Sequence, residues 1–242
     1  MQLGKELNSK HLKFRTVRID GGEKELLFIH GYGGNLEQPG VKWTMKRLRN
    51  ANYSVTYVQL PTIISNFRED IVEPVMDVRK GLGRHVIAGF SLGGLAAAYL
   101  KNDTRKVYLS PFWGINERWA FKGLGGVLKV LAGFNKPSLK RHFEKEDAGP
   151  LGVEEDMRGI PDSVDPRTIH EMHHAQIRMP EPSLNDVVFY CPRDMVISIK
   201  AIEKRAIEKH TFRGGHMFYL SKDRNEIMKE IIKALDHNHS AN

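Results

Sequence analysis

Apolar residues fall along the chain in short unbroken runs, separated by stretches where they recur every three or four positions. The clearest runs are Leu26-Leu27-Phe28-Ile29, Val86-Ile87-Ala88 and Val187-Val188-Phe189-Tyr190. A strand covered on one face alternates apolar with polar, whereas a continuous run fits a strand covered on both. Strands are accordingly predicted over residues 14–19, 25–30, 54–60, 85–90, 106–111, 186–191 and 209–213. Helices are predicted over 41–49 (after Pro39-Gly40), 66–80 (before Gly81), 92–101, 199–206 and 223–235, where Ile227, Ile231 and Leu235 share a face. Asp20-Gly21-Gly22 is a turn signal that fits a hairpin between the first two strands. Strands alternating with helices predict an α/β fold on a mostly parallel sheet of about seven strands.

One interval breaks the rhythm. From Gly114 to Asn185 the chain is far longer than a strand–helix–strand connection needs. It holds a glycine-spaced apolar stretch over 124–134, then charged sequence punctuated by Pro150, Pro161, Pro166, Pro180 and Pro182. We read residues 114–185 as a helical lid or cap inserted into a single domain spanning 1–242.

Composition changes little. The 242 residues suffice for one domain with a substantial core. No apolar stretch approaches the roughly 20 residues of a transmembrane segment, and the first residues lack the apolar run of a signal peptide. The sole cysteine, Cys191, has no partner for an internal disulfide, so the cytoplasm is the expected compartment. Net charge is +8, but Lys and Arg are interspersed with acids and no nucleic-acid motif accompanies them, so no nucleic-acid partner is expected. Nothing in the sequence fixes an oligomeric state.

Chemistry concentrates in Ala88-Gly89-Phe90-Ser91-Leu92-Gly93-Gly94, which places G-x-S-x-G between a buried strand and a small-residue helix. A serine exposed on so sharp a turn needs strained backbone angles, and the crowded flanks admit only glycine. The helix N-terminus behind it favours developing negative charge. Upstream, the strand at 25–30 runs into His30-Gly31-Tyr32-Gly33-Gly34-Asn35. This loop lacks the Gly-Lys-Ser/Thr of a phosphate loop and the spacing of a dinucleotide fingerprint. Beside an exposed serine it makes sense as half of an oxyanion hole.

These motifs, with Asp194-Met195-Val196 and Gly215-His216, resemble those of α/β-hydrolase carboxylesterases and monoacylglycerol lipases. The resemblance runs from about residue 25 to the end, apart from 114–185. It implies an α/β-hydrolase fold with Ser91 as nucleophile and the backbone amides of Tyr32 and Leu92 as oxyanion donors. His30 is then a structural loop residue.

A serine hydroxyl needs a base, oriented by a carboxylate, and in this fold the order along the chain is Ser, Asp or Glu, His. Among eleven histidines, His216 follows Gly214-Gly215 just past the last predicted strand, whereas His210 lies within that strand and His237 and His239 lie in the polar tail. Asp194 follows the strand at 186–191 and fits the carboxylate, a role compatible with an Asx-turn. Asp186 stands at the other end of that strand, and Glu117 is the reserve candidate.

His170-Glu171-Met172-His173-His174 matches the zinc-helix pattern H-E-x-x-H, but the extended pattern's Gly and His positions hold Ile177 and Pro180. We read it as a solvated lid helix and expect no metal and no cofactor. Cys191 reads as a buried small hydrophobe. Trp113 and the lid residues Trp119, Phe121, Leu128 and Phe134 are either ordinary core or the wall of an acyl pocket. The expected activity is hydrolysis of a small-molecule carboxylic ester, an acyl ester or monoacylglycerol, through an acyl-enzyme. The alternatives are the same triad acting on a thioester, amide or lactone or in acyl transfer, and a non-catalytic binding protein on a hydrolase scaffold.

Overall fold

In a computed structural model, the structure describes residues 12–101, 103–114, 139–140, 149–152, 154–157, 160–161 and 163–237. Among them, seven strands form one sheet: β1 (Arg15–Ile19), β2 (Lys24–Ile29), β3 (Tyr53–Gln59), β4 (His85–Phe90), β5 (Lys106–Leu109), β8 (Val187–Tyr190) and β9 (Glu208–Thr211). Their order is β1-β3-β2-β4-β5-β8-β9. Every pairing is parallel except that of β1 with β3. β6 (Leu139–Lys140) and β7 (Ser163–Val164) form a separate antiparallel pair.

The predicted hairpin does not form. β2 is an apolar run whose two edges are taken by β3 and β4, so β1 instead pairs with the far edge of β3. The turn signal marks a tight crossover. A Cβ on Gly22 would lie 2.2 Å from the Asn52 carbonyl oxygen, and Ser54 Oγ accepts from both the Gly21 and Gly22 amides at 3.2 Å.

Helices α1 (Pro39–Asn50), α2 (Glu73–Lys80), α3 (Leu92–Ala98), α4 (Pro166–Ile177), α5 (Ile199–Glu203) and α6 (Arg224–Asp236) cover the sheet. α1 starts at Pro39, whose fixed φ suits the first helical position. The helix predicted over 66–80 divides into a π-helical turn, Arg68–Val72, and α2. Pro74 has no N–H for the carbonyl four residues back, and Glu73 N bonds Arg68 O in the wider repeat.

The sheet carries a core on each face. Leu27 and Ile29 join one with α2 and α3, while Leu26 and Phe28 join the other with α1 and α6. α4 is not simply solvated: Met172 and Ala175 are buried in the first core, so this part of the predicted lid packs against the body. Trp113 is fully buried against Tyr108 at 4.6 Å between ring centroids and belongs to that core. Among the described residues no helix is long and apolar enough to cross a membrane.

Candidate active site

Ser91 stands between β4 and α3 at φ 52° and ψ −117°, a conformation that non-glycine residues rarely hold. Its surroundings enforce it. The Ser91 amide donates to Leu109 O at 2.9 Å, and the Ser91 carbonyl accepts from Gly94 N and Phe112 N at 2.9 Å each. The flanking glycines are steric necessities: a Cβ on Gly89 would lie 2.6 Å from Gly93 O, and one on Gly93 would lie 2.1 Å from Ile29 O. The loop after β2 comes equally near, since a Cβ on Gly31 would sit 2.9 Å from Ser91 Cβ.

His216 reaches Ser91 from the chain beyond β9. Its Nε2 lies 2.8 Å from Ser91 Oγ, and its Nδ1 lies 2.7 Å from Asp194 Oδ2. With the proton on Nδ1, the ring donates to Asp194 and leaves Nε2 to accept from the Ser91 hydroxyl. Asp194 is fixed in turn. Its Oδ1 accepts from Val196 N at 2.7 Å and Ile197 N at 3.3 Å, so the carboxylate also makes the Asx-turn. All three side chains are buried. The sequence-predicted trio is brought together in the order Ser91–His216–Asp194, an arrangement able to remove the Ser91 proton as the oxygen attacks.

The loop 30–35 curls on Gly33 at φ 74°, with Gly34 N donating to Gly31 O at 3.2 Å. Tyr32 OH donates to Thr62 O at 2.8 Å, and Tyr32 and Leu92 both border the cavity over Ser91. His30 lies beneath, against Phe90, Tyr57 and Tyr219. Burial pushes its pKa down to about 4, which keeps the ring neutral. Gly34 covers it so tightly that a Cβ there would fall 1.5 Å from Nδ1.

The cavity wall is largely apolar: Phe90, Leu92, Phe112, Ile160, Pro161, Val164, Met172, Val196 and Met217 line it with Gln38. The sequence reasoning missed most of these. Phe112, Val196 and Met217 follow β5, Asp194 and His216 so directly that adjacency alone was a usable signal. Val164 and Met172 had none. The proposed pocket residues Trp119, Phe121, Leu128 and Phe134, and the reserve carboxylate Glu117, lie outside the described residues.

The remaining candidates are accounted for structurally. Asp186 accepts from Lys106 N and Ser183 N at 2.9 Å and from Tyr108 OH at 3.2 Å, at the start of β8 and away from Ser91. Cys191 is buried, and desolvation raises its thiol pKa. In the H-E-x-x-H helix, Glu171 Oε2 accepts from Phe67 N at 3.1 Å, and the His170 and His174 rings lie 4.2 Å apart. Among the described residues no group of three His, Cys, Asp or Glu side chains is placed to hold a metal.

No protein-family model and no curated protein matches the chain in sequence. Solved structures match it in fold. A monoacylglycerol lipase from Paleococcus ferrophilus superposes with a TM-score of 0.73 at 14% identity, covering 94% of this chain and 100% of its own. A soluble variant of monoglyceride lipase from Saccharomyces cerevisiae gives 0.69 at 15% identity, over 93% of this chain and 91% of its own. An esterase from Exiguobacterium antarcticum gives 0.61 at 15% identity, over 92% and 95%. The fold is therefore that of the α/β hydrolases.

Proposed function

We propose that the chain is a serine hydrolase that cleaves carboxylic esters, with Ser91 as nucleophile, His216 as general base and Asp194 as its orienting carboxylate. The observation that carries this reading is the hydrogen-bonded line from Ser91 Oγ to His216 Nε2 and from Nδ1 to Asp194 Oδ2, at 2.8 and 2.7 Å, on a strained turn. Ser91 Oγ attacks the ester carbonyl while its proton passes to His216 Nε2. The tetrahedral oxyanion is held by the amides of Tyr32 and Leu92, the latter opening α3. Collapse expels the alcohol, which takes the proton from His216 and leaves the acyl group on Ser91. Water then attacks as His216 removes its proton, and Ser91 recovers its hydrogen as the acid departs.

The apolar wall favours an acyl ester with a hydrocarbon chain, and the likeness to monoacylglycerol and monoglyceride lipases supports monoacylglycerols as the substrate class. Residues 114–185 act in this reading as a lid or cap, contributing Ile160, Pro161, Val164 and Met172 to the wall. The test is hydrolysis of p-nitrophenyl esters together with fluorophosphonate labelling. Wild type should label at Ser91, and Ser91→Ala should lose both labelling and at least ~10³-fold in kcat with its melting temperature retained. A Ser91→Ala variant that still hydrolyses esters at a tenth of the wild-type rate would sink the assignment.

A further inference from the structure

Asp156 is 2% exposed, in a single 3-10 turn, Glu154–Met157, whose partner lies far back in the chain. Its Oδ1 accepts from Gly40 N at 2.6 Å, across 116 positions. That amide is among the first N–H groups of α1, which a helix cannot satisfy internally. α1 has no acidic residue in its first turn, and its N-cap residue, Gln38, makes no side-chain capping bond. Gln38 is turned toward the preceding loop instead. Its Oε1 accepts from Asn35 N at 3.2 Å, and its Nε2 donates to Gly33 O at 3.4 Å. The residue at the cap position thus holds loop 30–35, and the acceptor for the helix comes from elsewhere.

The same point meets the segment that carries His216. A Cβ on Gly40 would lie 2.3 Å from Tyr219 Cδ2 and 3.0 Å from Asp156 Oδ1. Tyr219 sits in the turn Phe218–Leu220, and Leu151 N donates to Leu220 O at 2.8 Å. Asp156 is therefore fastened to α1, and Leu151 to the chain just past His216. Side-chain oxygens near a helix start compete for its orphan amides. With Asp156 gone, Gly40 N is left buried, and Gln38 Oε1 is an acceptor already standing at the cap position.

We propose that Asp156 is a positioning residue: by capping α1 it frees Gln38 to hold Gly33 and Asn35, which fixes the Tyr32 amide relative to Ser91. The proposal rests on the reading of Tyr32 as an oxyanion donor. An oxyanion amide matters in the transition state and little in substrate binding, so its displacement lowers kcat more than it raises KM. On p-nitrophenyl acetate, whose acyl group is too short to use the apolar wall, Asp156→Ala should lower kcat roughly 10- to 100-fold with KM within about twofold. Asp156→Asn keeps an acceptor oxygen and should recover most of the loss. Gln38→Met keeps the bulk but not the hydrogen bonds, and should reproduce the fall in kcat with α1 still capped. Amide hydrogen exchange supplies a readout independent of activity: residues 31–36 should exchange faster in both Asp156→Ala and Gln38→Met. Unchanged exchange there, or unchanged kcat in Gln38→Met, overturns the proposal, and Gln38→Met decides it even if Asp156→Ala does not fold. A wild-type protein that hydrolyses no ester defeats the proposed function instead, while the exchange comparison still decides whether Asp156 controls the loop.

Discussion

On one side of the cavity, Ser91, Asp194 and His216 sit on turns that leave the ends of strands, their shapes fixed by backbone contacts a few residues away. On the other side, Val164 arrives with β7 and Met172 with α4, which is tied to the body by side chains reaching over long stretches of chain. Thr168 Oγ1 accepts from Ile64 N at 2.8 Å, Glu171 Oε2 from Phe67 N at 3.1 Å, and Gln176 Nε2 donates to Phe112 O at 2.9 Å. Tyr99 OH also donates to Ala175 O. The first side has almost no freedom of composition, since a Cβ on Gly31, Gly89 or Gly93 collides with its neighbours. The second needs only apolar residues of suitable size on a well-anchored helix. In the proposed reading, chemistry and specificity are built on regions that answer to different constraints, and substitution should separate them.

The largest effect belongs to the first side. Asp194→Asn leaves the carbonyl oxygen able to accept from Val196 N but removes the anion that fixes the His216 tautomer, so kcat should drop roughly 10³- to 10⁴-fold with little change in KM. Steady-state kinetics on an acetyl ester checks this. A loss below tenfold would mean that Asp194 is only a turn residue.

Next comes the buried imidazole beneath the loop. The folded protein keeps His30 neutral down to about pH 4, whereas an unfolded histidine binds its proton near 6.5. Between those values the unfolded chain takes up a proton that the folded one refuses. The contribution is fully present above pH 6.5 and is lost as pH falls toward 4, by about 3 kcal/mol. Urea unfolding across this range should show the decline, and His30→Phe should flatten it. An unaltered pH dependence in His30→Phe would place the titration elsewhere.

These two tests concern residues that were legible in the sequence, and the reason is physical. A serine on a strained strand-to-helix turn, a glycine loop pressed against it and a histidine after the last strand each demand particular residue types within a few positions. The strands were legible because a run such as 26–29 has to satisfy two cores at once. What could not be read were matters of partner choice: that β1 prefers β3, that Asp156 caps a helix starting at Pro39, and that Met172 faces Ser91's cavity. Each is decided by contacts between distant parts of the chain. A solvated α4 is what its place in the predicted lid suggests, whereas Met172, Ala175 and the hydrogen bonds made by Thr168 and Gln176 fix it against the body.

On the second side, Met172→Ala should shift the acyl-length profile. Shortening this side chain makes room for about two more methylenes, each worth about 0.8 kcal/mol, so esters two carbons longer should gain roughly tenfold relative to the wild-type optimum. The acetyl ester should change little. Ile177, on the same helix but 57% exposed, is the control, and Ile177→Ala should leave the profile flat. Equal losses on every chain length in Met172→Ala would assign this residue to the core alone.

The smallest effect tests the segment where the sequence offered a rival chemistry. In a zinc helix of the H-E-x-x-H kind, Glu171 would serve as general base, and losing it would stop turnover. Here its Oε2 accepts the Phe67 amide, which begins the turn leading into α2, so its work is that of a cap supplied by a neighbouring helix. Removing a cap of this sort costs about 1 kcal/mol. Glu171→Ala should therefore lower the unfolding free energy by about that amount, while kcat on an acetyl ester stays within about twofold of wild type. His170→Ala should leave that kcat unchanged, and dialysis against a chelator should as well. The distinction is clean because the two roles predict opposite pairs of outcomes. A cap moves stability and spares turnover; a metal-assisted base moves turnover, and its loss under chelation would be reversed by zinc. Activity that disappears with EDTA and returns with zinc would transfer the chemistry from Ser91 to α4.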